Sequence, residues 1–192
     1  MKKITMILTT AMMMIFCMAF AAAGSAAPAI GQEYPAEVLR LHGEITQING
    51  NMVTVTDAQN KQSVAVKVKW NTEIRNGSNG KALNFDKLKK GDEVTAYYSP
   101  VMTRSLPPQS NGFAIVVGDG EHDGIYTKVA EVSRTEDGTK ILSVNGDIIV
   151  TIPDSVNAEA KDLKPGSRVL VWYDFVALSM PGQATATKAV VL

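Results

Sequence analysis

Apolar and polar residues alternate along most of the chain beyond its N-terminal segment. In the segment 64–70, three valines and Trp70 alternate with Ala65, Lys67 and Lys69. Successive side chains of a strand point to opposite faces, so a period of two places the apolar side chains on one face. We therefore predict a half-buried strand here, with the valines and Trp70 in the hydrophobic core.

Short turn signals separate further segments with the same period. Asn49-Gly50-Asn51 joins the apolar-alternating segments 43–48 and 52–56, and Asn-Gly is typical of a tight hairpin. Later in the chain, 128–133 is expected to pair with 140–144, and Asn145-Gly146 leads into a strand over 147–152. Helical periodicity is confined to two short stretches, 84–88 and 158–163, each long enough for one turn.

A set of features occurs twice in the same order. A Leu-Lys-x-Gly turn, at 88–91 and again at 163–166, precedes an apolar strand. A Ser-x-Pro-x-Gln tract follows, first as Ser105-Leu106-Pro107-Pro108-Gln109 and then as Ser179-Met180-Pro181-Gly182-Gln183. A small-apolar strand closes each copy. The chain is therefore predicted to contain a duplicated unit of about 70 residues.

Each unit is predicted to contain three strands, one helical turn and two more strands. This is the element order of an OB-type barrel, and closure into a barrel protects the edges of a small sheet. We predict an all-β fold of two tandem small five-stranded OB-like barrels, over residues 38–118 and 125–192, joined by the Gly- and acid-rich linker 118–124. The alternative is that the two units are the two sheets of one larger sandwich.

The first residues have the pattern of a cleaved signal peptide. Lys2 and Lys3 precede an apolar run of roughly 15 residues, and small residues follow. We predict cleavage after Ala23, so that 1–23 is removed and the mature protein is secreted or periplasmic. The alternative is a retained membrane anchor, for which the apolar run is short. Cys17, the one cysteine of the chain, lies inside the predicted signal peptide.

Charge and residue inventory give expectations about chemistry. Without Lys2 and Lys3 the chain has 17 basic and 19 acidic residues, interspersed in sequence, so nucleic acid is not an expected partner. His42 and His122 lie in different elements, and neither a metal nor another cofactor is expected. A mature chain without cysteine or a nucleophile-elbow motif is expected not to be an enzyme.

The motifs resemble a known group of proteins. Gly43-Glu44-Ile45, Thr72-Glu73-Ile74, the Leu88–Val94 turn and strand and the Tyr98–Gln109 tract are similar to those of OB-fold-like all-β domains of unknown function in exported bacterial proteins. The second unit departs from the pattern, with Ala130-Glu131-Val132 in place of the first motif. The resemblance implies the fold and not an activity.

The two tracts, with aromatic residues just before them, are the predicted contact surface. In OB folds the loop between the last two strands helps to line the ligand face. The alternative is structural: the prolines stiffen a long hairpin, and the glutamine bonds to loop backbone. The candidate ligand-binding residues are Tyr98, Arg104, Ser105, Pro107, Pro108, Gln109, Tyr173, Ser179, Pro181 and Gln183.

The sequence therefore predicts an exported, non-enzymatic binding or scaffold module of the bacterial cell envelope. Its expected partner is an envelope glycan, a peptide or a protein, and no transmembrane segment is expected in the mature chain. The alternative is a structural protein that self-associates through its barrels.

Overall fold

The protein is all-β in a computed structural model, which describes residues 38–118 and 123–192. These residues belong to one compact unit. The predicted signal peptide, most of the predicted linker and His122 lie outside the described residues. No helix within the described ranges has the length and apolar character that a membrane span requires.

The first half of the molecule, residues 39–117, forms a six-stranded sheet. The predicted helical turn at 84–88 is confirmed as a 3₁₀ turn at Phe85–Lys87. The strands are β1 (Leu39–Asn49), β2 (Met52–Thr56), β3 (Ser63–Lys67), β4 (Glu73–Asn76), β5 (Glu93–Met102) and β6 (Gln109–Val117).

Five of these strands pair in a ring. β1 pairs with β2 and β5, β2 pairs with β3, and β5 pairs with β6, all antiparallel. The ring is completed by a parallel pairing in which Ala65 of β3 lies opposite Gln109 of β6. β4 is additional to the prediction and pairs in parallel with the far end of β6.

The second half, residues 123–191, repeats these pairings with one break. β7 pairs with β8 and β10, β8 pairs with β9, and β9 pairs in parallel with β12. The counterpart of β6 is divided, because β12 pairs with β9 whereas β13 pairs with β10. A 3₁₀ turn at Ala158–Asp162 confirms the second predicted helical turn. The strands are β7 (Asp123–Thr135), β8 (Gly138–Ser143), β9 (Ile148–Ile152), β10 (Arg168–Tyr173), β11 (Val176–Ala177), β12 (Gly182–Thr185) and β13 (Lys188–Val191).

The Leu-Lys-x-Gly turn has the same geometry in both halves. Gly91 and Gly166 have φ of 94° and 89°, a conformation that residues with a Cβ rarely adopt. The N–H of Gly91 donates to the carbonyl of Ile45 (2.9 Å), and that of Gly166 to the carbonyl of Val129 (2.8 Å). A bulge follows Ile45 in β1 and Val129 in β7. The repeat read from the sequence is therefore a structural repeat.

This equivalence corrects the predicted alignment of the opening motif. Gly43 lies opposite Val94, and Thr127 lies opposite the equivalent Val169. The counterpart of Gly43-Glu44-Ile45 is thus the segment 127–129 and not 130–132. The short apolar segments of β7 match equally well in more than one register, and only the strand pairing distinguishes them.

The two halves pack against each other through their β5 and β10 strands. In β5, Val94, Ala96 and Tyr98 face the core of the first half, whereas Tyr97 contacts the second half. In β10, Leu170 and Trp172 face the first half in the same way. Both faces of these strands are buried, which explains why they are almost continuously apolar.

Polar and aromatic contacts fix this junction. The Tyr97 hydroxyl donates to the carbonyl of Gly124 (2.7 Å), and the Phe113 and Tyr126 rings stack with centroids 5.6 Å apart. Lys188 Nζ lies 4.2 Å from the Trp172 ring centroid and donates to the carbonyl of Gly77. Gly124, predicted as part of a linker, therefore belongs to β7 and to the contact between the halves.

Trp70 is a correction to the predicted core. Strand β3 ends at Lys67, and a turn over 69–72 follows, in which the N–H of Thr72 donates to the Lys69 carbonyl. The turn ends the alternation after Val68, and the Trp70 side chain is 97% exposed. Val64, Val66 and Val68 are buried, as predicted.

Candidate functional site

The first loop, residues 103–108, connects β5 to β6 and contains most of the first tract. The N–H of Thr103 donates to the Gln109 carbonyl (3.0 Å), and the N–H of Gln109 donates to Thr103 Oγ1 (2.9 Å). The carbonyl of Pro108 accepts from the N–H of Ala65 in β3 (2.9 Å). The first two bonds close the loop, and the third attaches its end to the edge of β3.

One hydrogen bond of the tract occurs in both halves. Ser105 Oγ donates to the Pro107 carbonyl (2.8 Å), and Ser179 Oγ donates to the Pro181 carbonyl (2.7 Å). The peptide bond before each of these prolines is cis. The serine and the first proline of each tract therefore have a structural role that is the same in both copies.

A groove lies between the first loop and the outer faces of β1, β2 and β3. Its volume is about 190 Å³. On the other side of the loop, a second groove of about 290 Å³ is lined by Lys67, Met102 and Asn111, among others. The side chains along the first groove are uncharged amides, hydroxyls and apolar groups: Gln47, Asn49, Met52, Thr54, Ala65, Ser105, Leu106, Pro107 and Gln109.

The counterpart of the first groove in the second half, about 160 Å³, is lined by Glu131, Ser133, Lys140 and Leu142, among others. The counterpart of the second groove lies beside the second loop, residues 174–181. Its volume is about 450 Å³, and its lining includes Asp174, Phe175 and Gln183. Strand pairing makes Gln183 the counterpart of Gln109, and Thr151 the counterpart of Lys67. The two grooves are formed by equivalent strand positions, but a neutral threonine replaces the lysine.

The structure separates the ten predicted contact residues into two groups. Tyr98 and Tyr173 are buried in the cores of the first and second halves, so their rings pack against the fold and do not form a contact surface. This corrects the predicted aromatic patch, because each tyrosine lies on the inward face of its strand. The other eight lie on the loops or the strand ends next to them: Arg104, Ser105, Gln109, Ser179 and Gln183 are exposed, and Pro107, Pro108 and Pro181 are half-buried.

Burial of the tyrosines also changes their ionisation. Desolvation raises the pKa of Tyr98 above its ordinary value of 10.0. Desolvation raises the pKa of Tyr126 as well; Arg168 opposes this shift, and Glu73 adds to it. In both cases burial disfavours the phenolate, so the neutral ring is the form that the fold accommodates.

The folded chain brings together charges that the sequence intersperses. The segment 63–72, which includes β3 and the Trp70 turn, and the first loop contain no acidic residue. Their charged residues are Lys67, Lys69 and Arg104. In the second half, β9 contains no charged residue, and the charged residue of the second loop is Asp174. The segment 63–72 and the first loop are therefore locally basic on a chain whose formal net charge is zero.

Sequence reasoning missed several residues of this surface. Gln47 and Asn49 line the groove although they lie far from the tract in sequence, and Trp70 was assigned to the core. The lack of acidic residues in 63–72 and in the first loop was a readable signal. Its meaning depended on knowing that those segments are neighbours.

The histidine that the structure describes is held by two side chains. His42 Nδ1 lies 2.9 Å from Thr95 Oγ1, and its Nε2 lies 2.9 Å from Glu93 Oε1. Within the described ranges, no group of three or more His, Cys, Asp or Glu side chains is placed to hold a metal ion.

Comparison with known proteins gives no family. No protein-family model and no curated protein matches the chain. Among solved structures, the chain is similar to a multidomain protein with nucleic acid binding domains from Streptococcus pneumoniae TIGR4, at 11% identity and a TM-score of 0.24. The alignment covers 77% of this chain and 50% of that chain.

The expectation that nucleic acid is excluded as a partner is corrected. The finding against it is the structural neighbour, which has nucleic acid binding domains. At its TM-score the likeness carries no argument for nucleic acid binding by this chain.

Proposed function

We propose that this protein is an exported, non-enzymatic binding or scaffold module of the cell envelope, built from two tandem OB-like barrels. The ring of strand pairings in the first half, and its interrupted copy in the second half, support the barrel assignment. We place the barrels at 38–118 and 125–192. Export rests on the signal-peptide pattern of 1–23.

The groove between the first loop and β1–β3 is the observation that carries the proposal. Gln47, Asn49 and Gln109 are exposed, and each has a side-chain amide that can both donate and accept hydrogen bonds. Met52 and Leu106 add apolar surface to the same groove. Such a lining suits an extended ligand with hydrogen-bonding groups, and the first loop is fixed in place before the ligand arrives, which lowers the entropic cost of binding.

The test is photo-crosslinking in the cells that produce the protein. A photoreactive residue replaces Gln109 in one variant and Gln183, its counterpart in the second half, in a matched control. We expect Gln109 to form an adduct with an envelope component that Gln183 does not form. Equal adducts at both positions, or none at either, would contradict the proposed site.

Side-chain removal completes this test. Gln47→Ala with Gln109→Ala should abolish the adduct formed from a photoreactive residue at Asn49. The melting temperature should stay nearly unchanged, because both glutamines are exposed. Unfolding of the first half by these changes would mean that the glutamines are structural and that the groove assignment is wrong.

Self-association is the second candidate function, and the second loop favours it. Phe175, Leu178 and Met180 are large apolar residues that the fold leaves exposed. Apolar side chains clustered on one loop favour a protein–protein contact. An adduct of the chain with itself from position 183, together with a concentration-dependent mass in light scattering, would support assembly over ligand binding.

Export is tested separately. We expect the N-terminal residue of the protein recovered outside the cytoplasm to be Gly24, which mass spectrometry of the intact chain would show. A chain that retains Lys2 and Lys3 in the membrane fraction would overturn the cleaved signal peptide.

A further inference from the structure

Three large apolar side chains of the first half are mostly exposed. Trp70 and Leu106 are each 97% exposed, and Val101 is 76% exposed. Full exposure of a tryptophan is unusual, since an indole ring loses favourable free energy for as long as it faces water. A surface that keeps such residues exposed is suited to contact with another apolar phase or partner.

These residues lie around one strand pair. The turn that contains Trp70 is attached to β6, because Thr72 Oγ1 donates to the Gly112 carbonyl (2.9 Å). The first loop is attached to β3 through the Pro108 carbonyl and the N–H of Ala65. Ala65 and Trp70 are five residues apart, so even a fully extended chain separates them by less than about 18 Å. The Trp70 turn and the first loop therefore lie at the two ends of the same β3–β6 pair.

Basic residues occupy the space between them. Lys67 lies on the outer face of β3 with Ala65, since Val66 between them points into the core. Lys67 lines a groove together with Met102 and Thr103, and Arg104 is the next residue of that loop. Lys69 directly precedes Trp70. The segment 63–72 and the first loop contain these three basic residues and no acidic one, so the local charge attracts anions.

We propose that this surface, formed by Lys67, Lys69, Trp70, Arg104 and Leu106, docks the protein on an anionic lipid bilayer. Trp70 and Leu106 enter the headgroup region, and the three basic side chains face lipid phosphates. The inference deepens the proposed function and rests on it, because it names a partner for the surface around the same loop.

The composition of the surface favours a bilayer over the other occupants. A single exposed tryptophan flanked by lysines and next to an aliphatic loop tip suits the membrane interface, where indole rings are enriched. Binding along single-stranded nucleic acid uses several aromatic platforms for successive bases, whereas Leu106 and Val101 offer none. One basic cluster and one shallowly inserted apolar pair each give weak membrane affinity, and together they give reversible peripheral binding.

The second half supplies an internal comparison. Its loop exposes Phe175, Leu178 and Met180, but the charged residue of that loop is Asp174, and Thr151 stands at the position of Lys67. An anionic bilayer repels that surface. We therefore expect docking through the first half alone.

The experiment uses residues 24–192, which include the whole compact unit and leave out the apolar N-terminal run. The chain is mixed with vesicles of phosphatidylcholine alone, or of phosphatidylcholine with phosphatidylglycerol, and retention and tryptophan fluorescence are measured. The chain has two tryptophans, and Trp172 is 2% exposed, so a blue shift on binding reports Trp70. We expect retention and a blue shift with the anionic vesicles only, both reversed by salt.

Charge variants at exposed positions test the residues. Lys67→Glu with Lys69→Glu should lower retention by roughly tenfold or more, since each basic side chain near an anionic surface contributes several-fold to binding. Trp70→Phe should remove the blue shift and keep most of the retention. The matched control is Lys161→Glu with Lys164→Glu, exposed lysines of the second half, which should bind like the unaltered chain.

Several outcomes would overturn the proposal. These are equal retention on neutral and anionic vesicles, an equal loss in the control variant, or no retention while single-stranded DNA binds through Lys67 and Lys69. Dimerisation that buries Trp70 without vesicles would overturn it too. A crosslinked adduct at Gln109 without vesicle retention would refute membrane docking and leave the proposed groove function standing. Vesicle retention without that adduct would refute the groove function and leave membrane docking standing.

Discussion

The two halves of this protein share a frame and differ in what they present to solvent. Both have the left-handed glycine turn, the bulge in the first strand, and the serine hydroxyl that donates to a proline carbonyl. They differ at Lys67 against Thr151, and in the charge of the two loops, which is Arg104 in the first loop and Asp174 in the second. Features kept in both copies are explained by folding, so the differences are where separate functions are to be sought.

The comparison also divides the tract. Ser105 and Pro107 repeat their geometry in the second half and support the loop. Arg104 and Leu106 do not support the loop in this way, and their side chains are exposed to solvent. The tract is thus structural in its repeated positions and available for contact in the others.

The largest expected difference in stability is between variants of the two tryptophans, one in each half. Trp172→Ala should cost about 3–5 kcal/mol, because it empties a buried site at the contact between the halves. Trp70→Ala should change stability by less than about 0.5 kcal/mol, since its side chain is exposed. Urea unfolding followed by circular dichroism measures both. Similar losses for the two variants would contradict the placement of Trp70.

Gly43 and Thr127 occupy equivalent positions but should respond differently. A Cβ on Gly43 would lie 2.2 Å from the carbonyl oxygen of Thr56, so Gly43→Ala forces the backbone apart and should cost about 1–3 kcal/mol or more. Thr127→Ala removes a hydroxyl that bonds to backbone, and should cost about 0.5–1.5 kcal/mol. The denaturant midpoints of the two variants show which one is less stable. A tolerated Gly43→Ala would mean that β1 and β2 do not cross as closely as described.

The repeated serine bond should contribute alike in the two halves. Ser105→Ala and Ser179→Ala each remove the hydrogen bond to a proline carbonyl at an exposed site, for a cost of about 0.5–1.5 kcal/mol. Ser105→Ala also removes the hydrogen bond with Thr103 Oγ1 (2.7 Å), so its cost should be the higher of the two. The double variant should show the sum, because the two sites lie in different halves and share no partner. Thermal unfolding of the three variants tests this. A large loss from one serine alone would show that the tracts are not structurally equivalent.

Alkaline pH should produce the smallest effect, and none below pH 10. Burial raises the pKa of Tyr98 and Tyr126 above 10.0, so folding favours the neutral phenol. Stability from these groups is complete below the unfolded value and is lost as pH rises through the folded value. Tyr126→Phe should flatten the fall in melting temperature above pH 10. An unchanged profile would mean that another group causes it.

The strands and the duplication could be predicted because their signals are local. Alternating valines in β3, Asn-Gly turns and the two Leu-Lys-x-Gly turns each describe a few consecutive residues, and the structure has the strands and turns there. The prediction for Trp70 was wrong because a turn over 69–72 interrupts the alternation, and a period of two does not show where a strand stops.

The candidate site could be predicted only in part. The tract residues were visible in the sequence, but Gln47 and Asn49 enter the groove through the pairing of β1 with β2. Tyr98 and Tyr97 are neighbours in sequence with opposite environments, one in the core of the first half and one at the contact with the second. Sequence alone assigns a strand residue to one of two faces and does not say what covers either face.

The sequence by itself determined that this chain is a duplicated β-protein with strands, turns and tracts in a fixed order. The tertiary structure decided that β5 and β10 are buried on both faces and that Gln47 and Asn49 line one groove with the first loop. The physical reason is that periodicity and turn chemistry act over a few residues, whereas burial and electrostatic potential depend on which distant segments become neighbours.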